Sequence, residues 1–253
     1  MDTVHNDAKN IRTDSYTAGT TGGISGSTLK IIAIAAMTID HVAWFITDDI
    51  LGSGSIVSVI MHAIGRITFP VMLFLLVEGF CNTRDLKKYI LRMAAFAFIS
   101  EIPFDLCFSG RIFAAKGSFA FSYLNNVFFT LTLSLIAMWA LQYCFIKQKP
   151  MILGVLAAAV LAYLSHLIGS DYSLFGVISA CIMYLLRTNK IKEYAVGSLV
   201  LCFKSVKEIP AFLALPLVAK YNGRRGLNMK YFFYIYYPAH LLIIWLIKLI
   251  WKI

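Results

Sequence analysis

Nine apolar runs divided by short polar loops constrain this chain more than any other feature. They cover roughly residues 29–47, 57–80, 89–108, 123–145, 151–168, 173–186, 193–203, 209–219 and 231–251. The longer runs match the twenty or so residues an α-helix needs to cross about 30 Å of hydrocarbon. A backbone in lipid must satisfy its own hydrogen bonds, and a helix does so within one segment. The runs therefore predict an all-α, polytopic transmembrane helical bundle of about nine spans. Composition agrees: 14% of residues are charged and 59% hydrophobic, against about 25% charged in a soluble domain. The sixth to eighth runs are short and are expected to tilt, re-enter or lie within the bundle.

The formal charge of +10 is spread in a way that speaks for topology rather than for nucleic acid. With the N-terminus placed inside, fifteen Lys and Arg fall in inner segments and five (Arg111, Lys116, Lys204, Lys207 and Lys252) in outer ones. That asymmetry predicts a cytoplasmic N-terminus and an odd number of spans in a cell membrane, the inner one in an envelope with two. Residues 1–28 are polar and rich in Gly, Ser and Thr, and read as a disordered cytoplasmic tail before a membrane domain at 29–253. The first span is expected to stay as an uncleaved anchor, since the charged start lies far from the apolar run. Five scattered cysteines without C-x-x-C spacing read as small buried hydrophobes.

Ionisable residues inside the apolar runs carry the functional signal. Lys30 and His41 are eleven residues apart in the first run, which on a helix is a rise of about 16 Å and almost three turns. Both side chains then share one face, one at the membrane rim and one near the bilayer centre. Asp40 in the same run, and Arg66, Glu101, Asp105 and His240 in other runs, reach similar depths. Each such group costs roughly 2.5–3.5 kcal/mol on insertion scales, so they must face one another or water. Asp40 and His41 point about 100° apart on a helix, so Asp40 is expected to pair with Arg66 and leave His41 facing a cavity. Pro70, Pro103 and Pro238 are expected to kink their helices around that cavity.

Arg84, Lys88 and Arg92 recur every four residues and suggest a basic face suited to phosphates. The turn Tyr221-Asn-Gly-Arg-Arg-Gly226 offers Arg224 and Arg225 as a second basic site. His5, His62 and His166 read as incidental. No H-x-x-x-H or H-E-x-x-H spacing is present, so a metal centre is not expected.

Seven segments in order, Thr38-Ile-Asp-His-Val42, Gly65-Arg-Ile-Thr-Phe-Pro70, Glu78-Gly-Phe-Cys-Asn-Thr83, Ser100-Glu-Ile-Pro-Phe-Asp105, Asn126-Val-Phe-Phe-Thr130, Tyr221-Asn-Gly-Arg-Arg-Gly226 and Tyr234-Ile-Tyr-Tyr-Pro-Ala-His240, resemble the TraX family, whose named member acetylates conjugative F-pilin. That family in turn looks like a branch of the membrane acyltransferase-3 superfamily, in which a basic residue and a histidine frame ten residues of the first span, as Lys30 and His41 do here. The resemblance implies an integral membrane acetyltransferase that moves an acetyl group from cytoplasmic acetyl-CoA to a peptide (such as a pilin), glycan or lipid acceptor. It implies that Lys30, Arg84, Lys88 and Arg92, with Arg224 and Arg225, hold the nucleotide end of CoA. His41 is then the general base, or a transient acyl carrier, Arg66 or His240 stabilises the oxyanion or orients His41, and Asp40 and Glu101 complete the catalytic set. A proton- or solute-coupled transporter using the same buried charges is the alternative, and a non-catalytic membrane scaffold a third reading.

Overall fold

The computed structural model describes residues 22–109 and 124–251. Lys9, Arg12, Arg111, Lys116, Lys252 and His5 lie outside them. The described residues form a helical bundle whose only non-helical pairing among them is an isolated bridge between Ile24 and Tyr221. In chain order the helices are α1 (Gly26–Val42), α2 (Asp48–Leu51), α3 (Ile56–Gly65), α4 (Thr68–Asn82), α5 (Leu86–Ser109), α6 (Val127–Ile146), α7 (Met151–Leu167), α8 (Ser173–Leu185) and α9 (Lys190–Cys202). A 3₁₀ helix (Val206–Ala214), α10 (Leu215–Ala219) and α11 (Lys230–Trp251) complete it.

Each predicted run falls on helical structure, and local chemistry sets the ends. Ser25 caps α1 by accepting from the Thr28 N–H at 3.3 Å, and Asn126 caps α6 by accepting from the Phe128 N–H at 3.0 Å, each satisfying a donor the helix cannot. The first segment is longer than the run suggested. A π-helical turn, Ala43–Thr47, joins α1 to α2 and makes one helix from Gly26 to Leu51. The second is interrupted at Arg66–Ile67. Pro70 then falls in the first turn of α4, where its missing N–H costs nothing, so the expected kink is a break between two helices. Pro103 and Pro238 remain inside α5 and α11. The eighth run holds Pro210 and Pro216, and forms a 3₁₀ helix followed by a single α-turn rather than a span.

Among the described residues, four helices are long and apolar enough to cross a membrane: Gly26–Leu51, Ile56–Asn82, Val127–Ile146 and Tyr231–Trp251. α5 has 24 residues but carries Lys87, Lys88, Arg92, Glu101 and Asp105. α7 and α8 are apolar and shorter. The surface is inverted relative to a soluble protein. Phe98, Ile99, Ile152, Val160, Tyr163 and Ile243 are all more than half exposed, while Ser100, Glu101, Asp105, Asn126, Thr130 and Ser134 are buried. Apolar outside and polar inside is what lipid selects.

α1 and α11 run in the same direction. Lys30 lies over the Phe233 ring at 5.2 Å, Thr38 meets the Tyr236 hydroxyl at 2.7 Å, and His41 meets His240. First and last helices that run alike are what an odd number of crossings requires. α1 is held against α3 by Gly65, where a Cβ would stand 2.3 Å from the Asp40 Cβ. Gly65→Val is therefore expected to separate the two helices and cost at least about 1–3 kcal/mol. Thermal unfolding of the detergent-purified protein checks this, with Gly54→Val, a position in open space, expected to change nothing.

Candidate functional site

The site begins where α1 and α11 meet. His41 Nδ1 and His240 Nε2 are 2.7 Å apart, with ring planes 6° from parallel. His240 Nδ1 is 2.9 Å from the Tyr236 carbonyl oxygen. A carbonyl only accepts, so His240 carries its proton on Nδ1 and presents a lone pair at Nε2. His41 must then donate through Nδ1–H, which leaves its own Nε2 with a free lone pair. The hydrogen bonds thus select the basic nitrogen. Tyr236 is fixed in turn: Thr38 Oγ1 donates to the Ile34 carbonyl at 2.9 Å and receives the Tyr236 hydroxyl. His240 is buried and His41 half-buried. Phe45 and Phe108 flank His41, with ring centroids 6.2 and 6.1 Å away. The π-turn follows His41 by two residues and brings Phe45 round to it. Such turns recur at functional sites.

At the other end of α1 the basic turn clasps the helix. The N–H groups of Gly26 and Ser27 donate to the carbonyls of Arg224 and Arg225 at 2.8 and 2.9 Å, and Ile24 and Asn222 bond across the bridge. Gly226, at φ +72°, fits because a Cβ there would strike the hydroxyls of Ser27 and Ser25. The turn's carbonyls are spent on α1 while the side chains of Arg224 and Arg225 stay exposed. Arg225 lies within electrostatic reach of Lys30. It also lines an open pocket of about 570 Å³ with Asn228, Met229, Tyr231 and Phe232. Lys30, Arg224 and Arg225 therefore gather at one end of the bundle. The other basic residues are arranged differently. Arg84 lies in the turn before α5 and is exposed. Lys88, at 80% side-chain exposure, pairs with Asp85 at 3.2 Å, and its backbone and side-chain hydrogen bonds hold the Asp85 carboxyl below the usual range. Arg92 packs between the Tyr89 and Tyr234 rings at 5.6 and 5.7 Å.

Asp40, Asp48, His62, Arg66 and Glu208 form a charged network on another face of α1. His62 of α3 meets Asp40 at 2.8 Å through Nδ1 and Asp48 at 3.2 Å through Nε2. Ser58 donates to Asp48. Arg66 donates to Glu208 at 3.0 Å and has Asp40 at 4.0 Å. The expected contact between Asp40 and Arg66 is thus the looser one, and His62 and Glu208 are the nearer partners. His62, read as incidental, carried one available signal, its position a turn before Arg66. Glu208 carried none, lying just outside a short run. Arg66 is close enough to His41 to act on it electrostatically.

Glu101 makes its hydrogen bonds at the start of α6. Its Oε1 accepts from the Asn125 N–H at 2.7 Å, and its Oε2 from the Asn126 N–H at 3.3 Å and from the Asn126 side-chain amide. The carboxylate so fastens α5 to the start of α6. Glu101→Ala is expected to leave these buried N–H groups unpaired, at about 1–3 kcal/mol for the first. It should lower the melting temperature and speed hydrogen exchange at the Asn125 and Asn126 amides, with Glu101→Gln milder.

Comparison with known proteins joins these residues to a family. Over 240 residues the chain is 29% identical to the "Probable fimbrial assembly protein FimC, serogroup H1" of Dichelobacter nodosus, covering 84% of this chain and 91% of that protein. No solved structure matches it. The family model described as "TraX protein" matches residues 25–248, which takes in Lys30, the histidine pair, the acidic network and the clasping turn: the chain belongs to the TraX family.

Proposed function

We propose that this protein is an integral membrane acetyltransferase, and that the carrying observation is the pair His41–His240 with its free His41 Nε2. Acetyl-CoA is the donor substrate. Its phosphates are strongly anionic, and Lys30, Arg224 and Arg225 supply cations at one end of α1. The pantetheine arm follows α1 inward, and the eleven-residue spacing brings the thioester to His41. The acceptor N–H or O–H gives its proton to His41 Nε2 as its heteroatom attacks the thioester carbonyl. The positive charge on His41 is spread through Nδ1–H to His240 Nε2, an acceptor already in place. The C–S bond then breaks, and the proton on His41 Nε2 passes to the departing CoA thiolate, so His41 ends as it began. An imidazole suits both steps because its neutral and protonated forms lie close in energy near neutral pH. Arg66, which acts on His41 electrostatically, is the cation assigned to the developing oxyanion.

A superfamily tie to the acyltransferase-3 proteins fits the Lys30–His41 spacing and belongs to the same reading. So do a cytoplasmic foot at Lys30, a cytoplasmic N-terminus, an odd number of crossings and residence in the cell (inner) membrane. The FimC relative is named for fimbrial assembly, so the acceptor class proposed first is a fimbrial or pilin subunit, ahead of an envelope glycan or lipid. Membrane lipids are the surrounding partners, and nucleic acid has no place in the scheme.

His41→Ala is expected to lower acetyl transfer from labelled acetyl-CoA about 10²- to 10⁴-fold, the usual contribution of a positioned base, while CoA binding to the purified protein stays within twofold. Lys30→Ala is expected to do the reverse, weakening CoA binding about tenfold, equivalent to one charge-assisted contact of roughly 1.5 kcal/mol. Equal activity of His41→Ala and wild type would sink the mechanism.

A further inference from the structure

We propose that Phe45 and Phe108 are the end wall of the acyl subsite beside His41, so that these two rings set the length of acyl chain accepted and exclude chains longer than acetyl. The inference deepens the acetyltransferase reading and rests on it. Its first support is direction. Phe232 lines the pocket beside Arg225. Tyr236 and His240 follow it at four-residue intervals on α11, with successive ring centroids 5.6 and 5.2 Å apart. His240 then stacks on His41 at 4.9 Å. From Phe232 to His240 the helix rises about 12 Å, so this line of rings leads from the basic end of the bundle to the histidine pair. A donor arm passing along it brings its thioester to His41 with the acyl tail foremost.

The second support is what stands beyond His41. Phe45 follows His41 in the chain, on the side away from Lys30, and its ring centroid is 6.2 Å from the imidazole. Phe108, from the last turn of α5, is 6.1 Å away and meets the imidazole at 89°. The two phenyl rings pack on each other at 4.7 Å and 80°, so they form one surface. That surface is backed. The buried Phe104 stacks on Phe108 at 4.3 Å. Lys248, tied to Asp49 at 2.8 Å, lies 5.7 Å from the Phe45 ring. Rings held this way resist the entry of even one extra methylene. The π-turn is the third support. No other stretch of the described residues is π-helical. Such turns are rare and recur at functional sites, and this one carries Phe45. An acetyl group ends in one methyl, whereas a longer chain adds its methylenes on the side where the wall stands.

The test measures binding of CoA, acetyl-CoA, butyryl-CoA and hexanoyl-CoA to the purified full-length protein in lipid nanodiscs, with no acceptor present. Wild type is expected to bind acetyl-CoA at least about tenfold more tightly than hexanoyl-CoA, since a closed subsite rejects a chain too long for it. Phe45→Ala and Phe108→Ala are expected to bring the two esters within about twofold of each other, with CoA itself bound as in wild type. Phe45→Leu, which stays apolar but loses the ring, should admit butyryl-CoA and still discriminate against hexanoyl-CoA, and it serves where the alanine variants fail to fold. A packing role alone would weaken all the ligands together and leave their ratios unchanged. Equal binding of acetyl-CoA and hexanoyl-CoA by wild type, an unaltered ratio in both alanine variants, or a parallel loss of every ligand in the alanine and leucine variants alike would each overturn the proposal. Failure of wild type to bind CoA or any of its esters would instead overturn the acetyltransferase reading, and the wall with it.

Discussion

The hydrogen bond between His41 and His240 ties together residues 199 positions apart in the chain, and much of the remaining structure serves to make it. It needs α1 and α11 side by side, running the same way and in fixed axial register. Three contacts set that register: Lys30 on Phe233, Thr38 on Tyr236 and the histidines themselves. It also needs one tautomer, which the Tyr236 carbonyl imposes on His240. A rotation of α11 by one residue, about 100°, would break all of these at once. The bundle between the two helices is accordingly stiffened by α5, whose Phe96 stacks on Tyr234 at 4.8 Å and whose Glu101 fastens α6.

α1 itself is anchored at both ends by different means. At the Lys30 end its first amides are capped by carbonyls from the turn at residues 220–226, a device that also presents two arginines beside Lys30. At the Asp48 end it is held by His62 and by Lys248, which reaches Asp49 at 2.8 Å and lies 5.7 Å from the Phe45 ring. Fixing both ends is what gives the distance from Lys30 to His41 a meaning. A helix free to slide along its axis could not hold a cation and an imidazole at a set separation from a bound molecule.

How much of this the sequence disclosed depends on which physical signal carried it. Run length and charge revealed the helical segments, because lipid penalises any other arrangement of apolar backbone. The π-turn after His41 was hidden, since Val42-Ala43-Trp44-Phe45 holds no proline or glycine to mark it. Hydropathy marks the eighth segment as a short run expected to tilt, re-enter or lie within the bundle, but not that Pro210 and Pro216 limit it to 3₁₀ geometry and one α-turn. His41, His240 and Arg66 stood out as charges at depth. Their partners did not: nothing in one dimension tells which face of α3 meets Asp40, or that Glu208 folds back onto Arg66 across 142 positions. Periodicity assigns a residue to a face, and only packing assigns the face to a neighbour.

The adjacency of Asp40 and His41 is a division of labour. Neighbouring residues on a helix diverge by about 100°, so one turn of α1 can border two separate polar compartments without a second polar stretch. His41 faces α11 and the neutral histidine pair. Asp40 faces α3 and the charged network. Were the two groups four residues apart they would share a face, and Asp40 would draw a proton to His41 and remove the lone pair that the tautomer chain protects. Gly65 makes the division workable, since the absence of a side chain there lets Asp40 lie against α3 and reach His62 rather than turn back toward His41. The glycine thereby acts on the basicity of a residue it does not touch, by deciding which compartment receives the neighbouring charge.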